Sequence, residues 1–491
     1  MPATLYMQRK LTRNRIERVV TTECTLQDVI AATSISLNLV LLSSWWSAFI
    51  SDINPQTPQP ARKLRGNNEE EELTTKLDDA SSSSLTSLPK ITVIIPCYLP
   101  NERSIIDSTL RHVFTKLEIF GVLEVVVVYS LGTLRQQQVL TKSQSAELSL
   151  AEERLWEQWD GLVSEDGLRA VRIIDAHGTR TKAESLNQVL ASPSLKCADI
   201  VAIYDADHHP DSDSLKLMVS KLLSTRSDCV QGSTYIRNAT TSGLLGGCVN
   251  AEFFLTHFIF FPGLEHLAGT AFFGGSNAVW RAATLRKYTF DQSMQTEDID
   301  LTLRALTDGH KITFCASARS GELAPRDLRA LWHQRVRWAL GWEQVTRRGL
   351  SLYNSKGLGR GMDFRKFLGI VFLFGGRLPI ALLSIAAIFP TFYEDGDPLA
   401  RIAPHLGSVI SYQQLATAEW GALLVLVMLK TLSEASSKHW LPILMMYSMS
   451  PLYMLGQLGL MFKSICDIQV DGDDERDWVV TLRSEASASE Q

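Results

Sequence analysis

Ile200-Val201-Ala202-Ile203-Tyr204-Asp205-Ala206-Asp207-His208-His209-Pro210 is the stretch that sets the fold class. Its first five residues are apolar or aromatic, and three are β-branched, as in a strand buried on both faces. Such strands belong to parallel sheets covered by helices on each side. Asp205 ends the run, so Asp205 and Asp207 fall at the carboxyl edge of the sheet, where open α/β folds bind ligands. Two carboxylates one residue apart at a strand-to-loop turn can reach one divalent ion. Such an ion neutralises the charge of a departing phosphate. A solvated acidic turn is the competing reading of a bare pair, and the apolar strand before it shifts the balance.

The same alternation runs outward over residues 90–350. Strands are expected at 91–96, 123–129, 171–175, 199–205 and 229–236, with helices over 102–118, 182–191 and 212–225. That order indicates an α/β nucleotide-binding domain with a mostly parallel sheet. Residues 1–24 form a basic tail (Arg9, Lys10, Arg13, Arg15, Arg18), and residues 25–50 an apolar segment without charge from Val29 to Ile50. It is long enough to cross a bilayer, or to enter and return. Residues 51–89 combine Pro55, Pro58 and Pro60 with an acidic run and Ser81 to Ser84, the composition of a disordered linker. Residues 351–465 hold apolar stretches at 367–392, 414–432 and 439–462, expected to be interfacial and transmembrane helices, and 466–491 are an acidic tail. Arg377 inside the first stretch costs roughly 2.5–3.5 kcal/mol at bilayer depth, so it lines a polar passage or splits the segment.

The chain has 491 residues, 45% hydrophobic and 21% charged, which excludes a disordered chain. A net charge of −5 gives no basic surface for nucleic acid. Seven cysteines without CxxC spacing fit neither a disulfide framework nor a zinc ribbon.

Further chemistry-bearing residues follow the aspartates. Thr296-Glu297-Asp298 opens a helix, and Asp298 beside a bound sugar could take a proton from an attacking hydroxyl; dipole stabilisation of a helix start is the bland alternative. Gln334, Arg337 and Trp338 share one face of the helical stretch 325–348, combining an amide, a phosphate-binding cation and a flat platform for a sugar ring. A basic amphipathic helix at a membrane surface is compatible with that role. Tyr98 after the first strand could stack on a base, and Lys182 at a helix start could reach a pyrophosphate.

In this order, Tyr98, Lys182-Ala183…Asn187, Asp205-x-Asp207, Phe272-Phe273-Gly274-Gly275-Ser276, Thr296-Glu297-Asp298 and Gln334-x-x-Arg337-Trp338 resemble a processive, membrane-embedded family-2 inverting glycosyltransferase. Cellulose, hyaluronan, chitin and poly-N-acetylglucosamine synthases are of this kind. The resemblance covers about residues 90–350 and implies a nucleotide-diphospho-sugar transferase (GT-A) fold, flanked by transmembrane helices. It implies that Tyr98 stacks on the base of a UDP-sugar, that Lys182 and Arg337 hold the diphosphate, and that Asp205 contacts the nucleotide. Asp207, with Asp205, would bind Mg2+ or Mn2+. Phe273, Gly274, Gly275 and Ser276, with Glu297, Gln334 and Trp338, would line the acceptor site, and Asp298 would be the base. The donor implied is UDP-glucose or UDP-N-acetylglucosamine, and the acceptor a growing β-linked polysaccharide. One departure is the missing aspartate after the second strand, where Tyr129 or Ser130 stands instead.

The expected setting is a multi-pass protein of the plasma membrane or the Golgi and ER, in contact with membrane lipid. Arg347, Arg348, Arg360, Arg365 and Lys366 before the C-terminal helices favour a cytoplasmic catalytic domain. The competing readings are a non-processive lipid (ceramide-type) glycosyltransferase and a degenerate, non-catalytic membrane scaffold.

Overall fold

The computed structural model describes residues 89–132, 140–356 apart from 177, 364–375 and 450–471, with scattered positions from 399 to 483. The basic tail, the apolar segment 25–50, the linker up to 88 and most of 376–449 lie outside the described residues.

Within the domain the strands are β1 (Lys90–Tyr98), β2 (Val122–Ser130), β3 (Arg169–Asp175), β4 (Ile200–Ile203), β5 (His209–Pro210), β6 (Cys229–Ile236), β7 (Ala278–Arg281) and β8 (Ile312–Glu322). They form one sheet in the order β3-β2-β1-β4-β7-β6-β8-β5. The β1–β2, β2–β3, β1–β4 and β6–β8 pairs are parallel. Strand β7 runs antiparallel to β4 and β6, and β5 antiparallel to β8. The sheet is thus mostly parallel, as expected, and mixed through the antiparallel β7 and β5.

The two faces of β2 show why the sheet forms. Val126 and Val128 point into one core with Leu186, Val189 and Trp280; Val125 and Val127 point into the other with Leu110, Val113 and Met218. All four valines are fully buried, which only a sheet covered on both sides allows. The covering helices are α1 (Ile106–Lys116), α2 (Lys142–Trp159), α3 (Lys182–Ala191) and α4 (Ser214–Ser224). Burying each such aliphatic side chain contributes roughly 1.5–3 kcal/mol.

A second group of helices closes the carboxyl edge. Helix α5 (Gly243–Leu255) passes through a π-helical turn (Thr256–Phe260) into α6 (Phe261–Ala268). Among the described residues this Gly243–His266 run alone is long and apolar enough to cross a membrane, and about half of it (47%) is buried within the domain. Helix α7 (Glu297–Thr307) carries three acids in its first turn, where the helix dipole favours them. The long α8 (Leu328–Lys356) packs against α9 (Ser450–Asp471), which extends six residues past the boundary expected at 465. All six described cysteines are free.

Candidate active site

The loop after β4, the turn before β7, the start of α7 and the middle of α8 meet at a cavity of about 610 Å³. Lys182, Asp205, Asp207, Gly274, Ser276, Glu297, Asp298, Gln334, Arg337 and Trp338 all line it. Residues scattered over almost a third of the chain therefore face one space.

Buried polar contacts place the aspartates. The Asp205 backbone N–H donates to Ser276 Oγ at 2.9 Å. Gln231 ties the same turn down, accepting from Gly274 N at 2.8 Å and donating to the Ser276 carbonyl at 2.8 Å. Asn277, at φ 48°, donates to Ser233 and Ala318 carbonyls and turns the chain into β7. Ser276 thus positions the aspartate loop as well as facing the cavity.

Both aspartates are matched by cations. Lys182 donates to Asp205 Oδ1, lies 3.9 Å from Glu297 and 3.3 Å from the Gly275 carbonyl. Burial pulls its ammonium down, but Asp205, Glu297 and Asp298 outweigh this and hold it above its ordinary value. Asp207, 2% exposed, meets Arg483 Nε at 2.8 Å. Burial pushes the Asp207 carboxyl up, and Arg483 and His208 more than reverse the shift. His208 itself lies 3.3 Å from Glu322 and 2.9 Å from Ser320 Oγ, which pins the loop to β8.

Asp298 sits at the base of the cavity beside Gly275. Burial, reinforced by Glu297, pushes its carboxyl up to about 7, against Lys182, the Ile299 N–H and Arg337. A carboxylate poised near neutrality suits proton abstraction. Gly275 has φ +85°, and a Cβ there would lie 2.7 Å from Asp298 Oδ2, so glycine is what lets the turn approach the acid. Gly341 on α8 plays the matching part at the other end: a Cβ there would lie 2.4 Å from Thr296 Oγ1.

The α8 side chains are only partly satisfied. Arg337 donates to the Gln295 carbonyl at 3.0 Å, while its Nε and the Oε1 of Gln334 have no partner among the described residues. Buried polar atoms are normally paired, so these orphans on a cavity wall mark where a ligand completes the site. The Arg335 guanidinium stacks on Trp338 at 4.3 Å and pairs with Glu252 at 2.8 Å, fixing the tryptophan platform.

Three expected positions lie off the cavity wall: Phe273, Tyr98 and Gly275, whose carbonyl meets Lys182 instead. Phe273 is fully buried against Trp280 and Phe290, in a core that needs its ring, and does not line an acceptor site. Tyr98 is off the cavity, whose wall there is Pro96 and Glu102. Tyr129 and Ser130, at the end of β2, are held by other contacts. Tyr129 donates to Glu152 at 2.6 Å and accepts from Trp156, and Ser130 donates to the Thr179 carbonyl, all away from the cavity.

Two residues the sequence reading passed over belong to the site. Glu102 accepts from Tyr98 N at 2.6 Å, and burial, with Asp207 next, pushes its carboxyl up to about 8. Its signal was an acid just after the first strand. Arg483 comes from the tail read as acidic, bridging to Pro325 and donating to the Leu323 carbonyl at 3.0 Å. Arg483 is one of two basic residues in that tail, with Arg476, and nothing local sets it apart.

A family profile described as "Glycosyltransferase like family 2" matches residues 89–341. The chain is 24% identical over 272 residues to the probable glycosyltransferase YdaM of Bacillus subtilis (strain 168), covering 55% of this chain and 59% of that protein. It is 28% identical over 192 residues (38% and 34%) to glucomannan 4-beta-mannosyltransferase 7 of Arabidopsis thaliana. It is 29% identical over 191 residues (35% and 41%) to poly-beta-1,6-N-acetyl-D-glucosamine synthase of Staphylococcus aureus (strain COL). The match thus spans less than two thirds of the length of each of these relatives. A mannosyltransferase of Pyrobaculum calidifontis, solved with GDP-Man and Mn2+, superposes with a TM-score of 0.46 at 19% identity, over 83% of this chain and 99% of that one. With the profile covering more than half of its residues, the chain belongs to glycosyltransferase family 2, and its mostly parallel mixed sheet is the scaffold of that domain.

Proposed function

We propose that the protein transfers a sugar from a nucleotide-diphosphate sugar, UDP-glucose or UDP-N-acetylglucosamine, to the end of a growing β-linked polysaccharide, with inversion. The observation that carries this reading is the convergence of Asp205, Asp207, Asp298, Gln334 and Trp338 on one cavity. The same convergence speaks against a degenerate scaffold.

Asp298 accepts the proton of an acceptor hydroxyl, whose oxygen bonds to the anomeric carbon as the bond to the diphosphate breaks on the opposite face. Trp338 holds the acceptor ring in line, and Gln334 supplies an amide to it. Lys182 and Arg337 balance the charge of the leaving diphosphate.

Mg2+ or Mn2+ fits Asp205 and Asp207, hard oxygen donors on one cavity, where an ion would compete with Lys182 and Arg483 for their carboxylates. Among the described residues no three His, Cys, Asp or Glu side chains gather to hold an ion alone. Diphosphate oxygens and water would complete the set. Such an ion supplies electrostatic stabilisation of the departing diphosphate.

A membrane setting draws on the uncharged runs Val29 to Ile50 and Trp440 to Phe462, and a cytoplasmic catalytic domain on Arg347, Arg348, Arg360, Arg365 and Lys366. A second reading, a lipid acceptor, draws on the aromatic wall of the cavity (Phe253, Phe260, Phe261, Phe272 and Trp342). The test is a donor panel on the protein in membranes: UDP-glucose, UDP-N-acetylglucosamine, UDP-glucuronate and GDP-mannose, with and without Mn2+. Release of nucleotide from one donor with a product of polymer size supports the reading. A single-sugar lipid product selects the second, and no release from any donor refutes both.

A further inference from the structure

We infer that His257 is a hydrogen-bonding contact for a sugar unit of the acceptor, on the aromatic wall of the cavity. This rests on the transfer reaction proposed above and decides what that wall holds.

His257 lies in the π-helical turn Thr256–Phe260 and lines the cavity. Turns of this kind, inserted between α-helical segments, frequently mark functional sites, because the extra residue changes which side chains face inward. Aromatic neighbours fix the imidazole: its centroid is 5.6 Å from Phe253, 4.7 Å from Phe261 and 6.4 Å from Phe314. Its Nδ1 is buried and has no partner among the described residues. An unmatched ring nitrogen among aromatic side chains is destabilising, and a ligand that meets it removes the defect.

The surroundings identify the ligand. Ring contacts continue from Phe261 to Phe272 at 4.4 Å and on to Trp342 at 6.1 Å, one helical turn beyond Trp338. The helix leading into His257 also braces Trp338, through Glu252 and Arg335. The imidazole therefore belongs to the wall that carries the sugar platform. A sugar presents an apolar ring face to aromatic side chains and hydroxyls that both donate and accept, and an imidazole nitrogen can serve either role. A hydrocarbon chain would leave Nδ1 unmatched. The geometry thus favours a saccharide over a lipid tail along this wall.

The test uses the full chain in membranes, the donor that the wild type accepts, and β-linked oligosaccharides of glucose, mannose and N-acetylglucosamine as acceptor probes. His257→Phe keeps the ring packing and removes the nitrogens. It should raise the KM for the elongated oligosaccharide about tenfold, the loss of one neutral hydrogen bond, and move the donor KM less than twofold. His257→Asn should recover part of the acceptor affinity. An unchanged acceptor KM in His257→Phe overturns the inference. So does an equal loss of donor and acceptor affinity in both variants, which would make His257 structural. If the wild type elongates none of the oligosaccharides, the polysaccharide reading itself fails and takes this inference with it.

Discussion

Replacing Gly275 by alanine tests the placement of the base with a single methyl group. The new Cβ would lie 2.7 Å from Asp298 Oδ2, 3.2 Å from Cγ and 3.3 Å from Cβ, so the carboxylate must retreat by about half an ångström. A displacement of about 1 Å at a reacting group costs on the order of a hundredfold, so half of that costs roughly tenfold. The backbone adds to this, since alanine at φ +85° carries a left-handed penalty of about 1–2 kcal/mol. That should lower Tm by roughly 2–8 °C. Gly274 next to it is the control: a Cβ there meets only Gln231, at 3.7 Å and beyond. Initial rates of nucleotide release at saturating donor, with Tm from thermal unfolding, should show Gly275→Ala down at least tenfold and Gly274→Ala within about threefold. Wild-type kcat in Gly275→Ala would refute the assignment of Asp298 as the group the turn is shaped around.

Asp298→Asn should lower transfer by about 10²–10⁴-fold while leaving the nucleotide Kd unchanged, because the amide keeps the shape and loses the base. Retention of more than a few per cent of transfer would remove Asp298 from the mechanism. The rate at low substrate should rise with pH through about 7, since burial and Glu297 hold Asp298 protonated below that point and only its carboxylate accepts a proton. Glu297→Gln removes one of the charges that raise it, so the acid limb should move to lower pH; a limb that stays put, or moves up, contradicts the coupling. Arg483→Gln frees Asp207 of its ion pair, and Mn2+ binding without donor, followed by electron paramagnetic resonance, should tighten severalfold. Weaker Mn2+ binding would instead place Arg483 among the groups that build the ion site.

Local pattern was enough for much of the scaffold. The runs at β1, β2, β3, β4 and β6 were legible because a strand buried on both faces writes its hydrophobicity at every position. Helix α3 fell on its expected bounds, α7 starts within the expected Thr296-Glu297-Asp298, and α8 starts three residues late and runs eight residues past its expected end. Strand β7 was not legible: it is four residues long, and it is a strand only because Asn277 turns it between β4 and β6. Helix α2 carries too mixed a surface to announce itself, with Leu148, Leu155 and Trp159 its buried residues.

The chemistry divides in the same way. Sequence by itself determined which residue types were present and in what order: paired aspartates after a strand, an acid at a helix start, and Gln, Arg and Trp on one helical face. Tertiary structure decided which of them meet. It turned Phe273 into the core, left Tyr98 off the wall, and brought Glu102, His257 and Arg483 onto it. The physical reason is range: hydrophobic periodicity is a property of neighbouring residues, whereas the pairing of Asp207 with Arg483, or the approach of Gly275 to Asp298, depends on the path of the chain between them.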